Sequence, residues 1–243
     1  GERRAVLRTP HSVTRLCFGF PTCRMGERDD YALDVLAHDL GNSKNSRLYR
    51  RLVLDDELVT EVSVMNETRQ NPGSMFVLCE LRDGANPAKV EAAIREEIAN
   101  LVAEGVAKKD MQRIRAQIRA SFLFQDESVL EHALKLARFQ ALTPSGYKTL
   151  ATVLPTYESL KPDELRQVAA RYLVPSRSVC VHAVPGREKV EAAGNGGGKG
   201  KKAKSVEPSK PAKKGKKDKK DKKQTKAARA DGGRGKATKK GKK

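Results

Sequence analysis

The stretch Leu40-Gly41-Asn42-Ser43-Lys44-Asn45-Ser46-Arg47-Leu48-Tyr49-Arg50-Arg51-Leu52 joins two helices across a polar turn, and the patterns on either side of it set the fold class. Upstream, Leu33, Leu36, Ala37 and Leu40 recur at helical spacing on one face. Asp29 or Asp30 supplies the N-cap and Gly41 ends the helix. Asn42 to Asn45 form the turn, and a short helix begins near Ser46 with Leu48, Leu52 and the stem of Arg51 on one side. Further out, Ala5 to Leu7 and Val13 to Phe20 read as strands, the second with Leu16, Phe18 and Phe20 alternating before Pro21. Downstream, Val59 to Asn66 alternates with Thr60, Val62 and Val64 against Glu61, Ser63 and Met65. After Asn71-Pro72-Gly73, the apolar run Met75 to Leu81, interrupted by Glu80, reads as a strand covered on both faces.

Helices dominate the remainder. Asn86-Pro87 is a cap followed by proline at the first helical position, and Val90, Ala93, Ile94, Ile98 and Leu101 form a buried stripe that Gly105 closes. Met111, Ile114, Ile118 and Phe122 mark a longer helix whose exposed face carries Arg113, Arg115 and Arg119. A break near Gln125 to Glu127 precedes another stripe, Val129, Leu130, Ala133, Leu134, Ala137 and Leu142. Thr143-Pro144-Ser145-Gly146 is a turn, Pro162 opens a helix holding Leu165, Val168, Ala169 and Tyr172, and Ser178 to Val184 is the last strand. The order, roughly β-β-α-α-β-β-α-α-α-α-α-β, predicts an α+β fold: a mixed, mostly antiparallel sheet with helices largely on one face.

Charge divides the chain sharply. Of 243 residues, 49 are Lys or Arg and 30 are Asp or Glu, a net charge of +19. Residues 194–243 hold 21 of the basic and 4 of the acidic groups, so the rest is nearly neutral. That last segment has ten Gly, no aromatic residue and no apolar periodicity, a composition that cannot offset the entropy of ordering. The expected organisation is a domain over 1–187 and a disordered Lys/Gly-rich tail over 188–243. Runs such as Lys213-Lys214-Gly215-Lys216-Lys217 would hold any polyanion, nucleic acid or acidic membrane surface, without base selectivity. Cys17, Cys23, Cys79 and Cys180 are too sparse for a disulfide scaffold and contain no C-x-x-C, and no run approaches a membrane span. The first residue is Gly, and the expectation is a longer or processed product.

Taken in order, these segments resemble the C-terminal half-domain of the pitrilysin/insulinase-like (inverzincin) zinc metallopeptidases, the group that includes mitochondrial processing peptidase. The resemblance is carried by the helix Tyr31 to Leu40, the turn at Gly41, Ser46-Arg47-Leu48 and the strand Leu58 to Val64. It is flanked by Phe18-Gly19-Phe20-Pro21 and Asn86-Pro87-Ala88-Lys89-Val90, and continued by Phe122 to Glu127, Ser128-Val129-Leu130 and Asp163 to Tyr172. It covers about Arg4 to Pro185 and none of the tail.

The resemblance implies a chamber made of two αβ halves, one holding zinc through H-x-x-E-H and the other closing over an extended peptide. The histidines here, His11, His38, His132 and His182, do not form that motif. Ser128-Val129-Leu130-Glu131-His132 has Ser for the first ligand, and Asp34-Val35-Leu36-Ala37-His38 has Ala37 where the base belongs. No catalytic, cofactor-binding or metal residue is therefore assigned to this chain, and zinc is expected only in an N-terminal half or a partner. In well-studied members the C-terminal half also supplies an Arg and a Tyr to the substrate; Val53 and Thr60 stand at those places. Three readings stay open. They are the non-catalytic closing half, a non-enzymatic partner subunit or pseudopeptidase, and a polyanion-binding protein acting through its tail.

Overall fold

A computed structural model describes residues 1–124 and 128–186; the break read near Gln125 to Glu127 and the basic tail lie outside the described residues. Five strands, β1 (Arg3–Thr9), β2 (Arg15–Pro21), β3 (Val59–Glu67), β4 (Ser74–Leu81) and β5 (Val179–Pro185), form one sheet in the order β1-β5-β2-β4-β3. β1 pairs with β5 in parallel, and every other pairing is antiparallel. The helices are α1 (Arg28–Gly41), α2 (Pro87–Glu104), α3 (Lys108–Phe124), α4 (Val129–Leu142), α5 (Leu150–Ser159) and α6 (Pro162–Tyr172). They cover one face, so the α+β reading with helices on one side holds.

The core follows from strand alternation. Leu16, Phe18 and Phe20 on β2, Met75, Val77, Cys79 and Leu81 on β4, and Cys180 on β5 all point under the helices. Helix α1 lies at the centre of that face, touching β3, α3, α5 and α6, which is why Ala32, Leu33, Val35, Leu36 and Leu40 are all buried. Helix α2 docks through the expected stripe, and Asn86 caps it by accepting a 2.9 Å hydrogen bond from the Ala88 amide.

Several expectations change. Glu27, not Asp29 or Asp30, stands at the N-cap of α1, and Asp30 reaches back to accept from the Gly26 amide at 2.9 Å. Gly41 is not a conformational cap. It is the last helical residue, and a Cβ there would lie 2.3 Å from Val64 Cγ2 and 3.0 Å from the Val64 amide nitrogen, so close approach of α1 to β3 demands glycine. Gly105, at φ +75°, is the helix-ending glycine of the conformational kind. The short helix after the turn becomes a π-helical turn over Tyr49–Asp55. An irregularity in the β3–β4 register between Val59 and Glu61 moves Thr60 off the face of Val62 and Val64 and into solvent. Arg113 and Arg115 are not simply solvated: Arg115 Nε donates to the Tyr157 carbonyl at 3.1 Å and Arg113 pairs with Asp110 at 3.1 Å.

Two corrections concern coverage. Met75 to Leu81 is covered on one face only, with Leu78 on the uncovered side. The stripe read on α4 is not buried: Val129 is 88%, Leu130 65% and Leu134 55% exposed. Helix α4 is held instead near its C-terminal end, where Thr143 Oγ1 bonds the Phe139 carbonyl at 2.8 Å, and by Lys135, whose ammonium lies 4.1 Å from the Phe122 ring centre. No helix among the described residues is long and apolar enough to cross a membrane.

Candidate functional site

The uncovered face of the sheet is built from the residues that alternate with the core. Leu7 on β1, Val179 and Val181 on β5, Cys17 and Gly19 on β2, Phe76 and Leu78 on β4 and Met65 on β3 stand on it. Leu7, Val179, Leu78 and Met65 are exposed. A groove crosses β5, β2 and β4 on this face, lined by Cys17, Gly19, Phe76, Val179 and Val181 with Arg3 and Arg177 beside it. Val53 packs, half-buried, against the core, and the Thr60 hydroxyl donates to the Glu80 carbonyl at 3.3 Å. Neither brings a cation or a phenol to this face.

The family-like Ser46-Arg47-Leu48 has a structural task. Ser46 Oγ donates to the Ser43 carbonyl at 2.6 Å, closing the turn, and Leu48 is fully buried. Arg47 Nε donates to buried Asp39 at 2.8 Å and its Nη2 to the Gly105 carbonyl at 2.7 Å, tying α1 to the end of α2. Burial pushes the Asp39 carboxyl up, and Arg47 opposes that shift.

Helix α1 turns a second, polar side away from the sheet, toward a cavity of about 440 Å³. Asp30, Asp34, His38, Tyr31, Phe122 and Tyr157 line it. Tyr157 of α5 donates its hydroxyl to Asp34 Oδ2 at 2.5 Å, and Asn66 Nδ2 bridges Asp34 Oδ1 at 2.9 Å and Asp30 Oδ1 at 3.0 Å. Burial first, and then the neighbouring Asp30 charge, push Asp34 up to about 7 against the hydrogen bonds from Tyr157 and Asn66. Burial raises Asp30 too, and raises Tyr157, which faces both carboxylates. Burial and then Arg113 lower His38, whose Nδ1 has no hydrogen-bond partner among the described residues. This network escaped sequence reasoning. Its one signal was a pair of acidic residues four apart on a helix buried almost all round.

These residues do not suit zinc. Asp34 and His38 sit one turn apart, but both Asp34 oxygens are engaged, Ala37 offers no base, and among the described residues no third ligand joins them. Glu91, Cys180 and His182 do converge, their ligand atoms lying within 4.8 Å. There, however, Arg4 and Arg95 bond the Glu91 carboxylate, with Arg95 Nη2 at 2.9 Å, and His182 Nε2 lies 3.2 Å from it. Burial works against ionisation of Glu91, yet the bonds from Arg95 and Arg4 leave it below its usual value. Two guanidiniums already neutralise this carboxylate and would repel a divalent ion. The free cysteines are equally inert: burial raises Cys23 and Cys79 to about 12.

Topology and core thus define a class, an α+β domain in which a five-stranded, mostly antiparallel sheet carries its helices on one face. Residues 1–118 match the family described as the peptidase M16 inactive domain. Over 155 residues the chain is 28% identical to the uncharacterized zinc protease YmxG of Bacillus subtilis, an alignment covering 63% of this chain and 37% of that protein. A protease from Helicobacter pylori superposes with a TM-score of 0.71 at 21% identity, covering 76% of this chain and 44% of the other. The inactive peptidase domain from Bordetella parapertussis superposes with a TM-score of 0.67 at 18% identity, covering 77% of this chain and 98% of the other. The match over residues 1–118 is to the inactive domain of peptidase M16, and the likeness of fold to the solved structures extends over about three quarters of the chain. The chain spans well under half the length of YmxG and of the Helicobacter protease.

Proposed function

We propose that this chain is the non-catalytic half of a zinc endopeptidase, closing a chamber over an extended peptide. The observation that carries this is the uncovered sheet face. β4 is apolar on both sides from Met75 to Cys79, as in a strand packed on two faces, yet Leu78 on its outer side is 37% exposed. Continuous apolar strands belong in sheets covered twice, so a second αβ body is the natural cover. The zinc, its H-x-x-E-H helix and the general base would come from that body, in the same polypeptide or in a separate subunit. Absence of the Arg and Tyr at Val53 and Thr60 favours a role in enclosure and peptide-backbone pairing over contact with the reacting carbonyl.

Reconstitution tests this. The chain is mixed with a homologous half that carries H-x-x-E-H, and cleavage of a quenched fluorescent peptide is followed. This chain with zinc is expected to cleave nothing, and the mixture to cleave faster than the catalytic half by itself. A Leu78→Asp variant should lose that gain. Cleavage by this chain with zinc alone, or an unchanged rate on mixing, would overturn the proposal. The tail supports a second activity: its 21 basic residues against 4 acidic ones favour salt-sensitive capture of polyanions. A filter-binding salt titration of the full chain against one ending at residue 193 separates it from the domain.

A further inference from the structure

Resting on the closing-half reading, we infer that the uncovered sheet face selects peptides that carry an apolar side chain followed, two or three residues away, by a carboxylate. The groove across β5, β2 and β4 supplies both recognition elements. Its floor is Gly19, flanked by Cys17, Phe76 and Val181. Gly19 lies within a regular strand, and a Cβ there would meet the Phe76 ring at 3.6 Å, an ordinary contact. Neither strain nor crowding in the fold accounts for glycine at this place. What its missing side chain leaves is a dimple walled by apolar groups, a seat for one aliphatic or aromatic side chain of an overlying peptide.

The other element is charge. Arg3 and Arg177 line the same groove and are both exposed. Unlike Arg4, Arg15, Arg28 and Arg95, which are spent in ion pairs, neither has an acidic group within 4.0 Å among the described residues. The register fixes their place relative to the dimple. Gly19 is opposite Val179, and Val179 is opposite Arg3, with Arg177 two residues before Val179 on the approach to β5. Two strand spacings separate Gly19 from Arg3, about 10 Å, and a peptide rising about 3.3 Å per residue crosses that in about three residues. Guanidinium side chains shorten the reach by one. Planar guanidiniums bind a carboxylate through paired N–H donors, so a Glu or Asp side chain, or a free C-terminus, is the matching group.

Fluorescence anisotropy on the full-length chain tests the inference, using an extended labelled peptide of sequence Leu-Ser-Glu in a neutral background and its Leu-Ser-Gln counterpart. The basic tail attracts any anion, so the comparison is made within the protein, with R3E/R177E and Gly19→Val against the unaltered chain. Exposed ion pairs are each worth roughly 0.2–1 kcal/mol. The expected loss on R3E/R177E, with two such pairs removed, is therefore about two- to thirtyfold for the Glu peptide and less than twofold for the Gln peptide. Gly19→Val should weaken both peptides alike by closing the dimple. If R3E/R177E binds the Glu peptide as tightly as the unaltered chain, acidic selectivity at this groove is refuted while peptide enclosure stands. If Gly19→Val changes neither affinity and Leu78→Asp also changes neither, no peptide lies on this face, and the closing-half reading fails with it.

Discussion

Replacing Asp34 by Asn should flatten most of the fall in this domain's stability between about pH 4 and pH 7. Asp34 rises from 3.8 to about 7 in the folded protein, through burial first and the Asp30 charge second. A carboxyl with a raised folded value is protonated more readily in the native state than in the unfolded one. Stability is then full below the ordinary carboxylate value near 4 and falls as pH climbs to about 7, where the folded group also ionises. About three units at about 1.4 kcal/mol each caps the penalty at about 4 kcal/mol, shared with Asp30, which moves in the same direction. Asn keeps the geometry, its oxygen facing the Asn66 amide and its NH2 facing the Tyr157 hydroxyl, which accepts as well as it donates. Urea unfolding followed by circular dichroism between pH 5 and 8.5 provides the measurement. D34N should match the unaltered domain or fall about 1 kcal/mol below it at pH 5. At pH 8 it should exceed it by about 1–3 kcal/mol, a midpoint shift near ~1 M at ordinary slopes. Parallel pH curves for the two proteins would refute the reasoning, since they would mean that Asp34 ionises in the folded state as freely as in the unfolded one.

The acid limb should behave oppositely. Glu164 is held low by Arg28, and Glu91 by Arg95 and Arg4 despite burial, so their contribution is present above pH 4.5 and lost below it; Glu91→Gln should shrink the acid-side loss in the same titration. Gly41→Ala should destabilise by about 1–3 kcal/mol because Val64 backbone as well as side chain blocks the new methyl, and Gly41→Asn should be worse; a tolerated Asn would restore a capping role for this glycine. Arg47→Ala leaves buried Asp39 without its cation and frees the Gly105 carbonyl, a loss of about 3 kcal/mol by denaturant unfolding that Asp39→Asn in the same chain should partly recover. Dialysis against a chelator should leave the melting temperature unchanged, since no described cluster offers zinc a compensated set of ligands; a fall of several degrees would point to a structural ion.

Sequence alone reached the layer order and most of the core because both rest on local periodicity. Leu16, Phe18 and Phe20 alternate, and Val90, Ile94 and Leu101 recur by helical turns, whatever lies far away. The failures all come from tertiary context. Thr60 falls off the buried face because of an irregularity in register that no side-chain pattern announces. Gly41 reads as a cap until Val64, distant in sequence, is seen against it. The α4 stripe has good periodicity and no cover among the described residues, since an apolar pattern states what a helix could bury and not what is present to bury it. The Asp30–Asn66–Asp34–Tyr157 network joins α1, β3 and α5, and only the fold brings Tyr157 and Asp34, 123 positions apart, into contact.

The missing catalytic groups and the uncovered sheet have one explanation if the fold is taken as half of a larger core. Helices bury one side of the sheet so completely that Leu33, Val35, Leu36 and Leu40 retain no exposure, which is ample to stabilise the domain. Nothing in that requirement calls for apolar residues on the other side, where an antiparallel sheet facing water would carry polar ones. Phe76, Leu78, Val179, Val181, Leu7 and Met65 nevertheless stand there around Gly19, with the polar residues Arg15, Glu80, Glu61 and Ser63 toward one end and Arg3 and Arg177 beside the groove. A surface of that composition has a cost in water that selection removes unless something covers it. The sequence holds no H-x-x-E-H, and the polar pairs Arg47 with Asp39 and Asp34 with Tyr157 tie helices together. On the proposed closing-half reading, this domain would contribute shape: an apolar sheet face backed by a helical layer whose members are tied to one another.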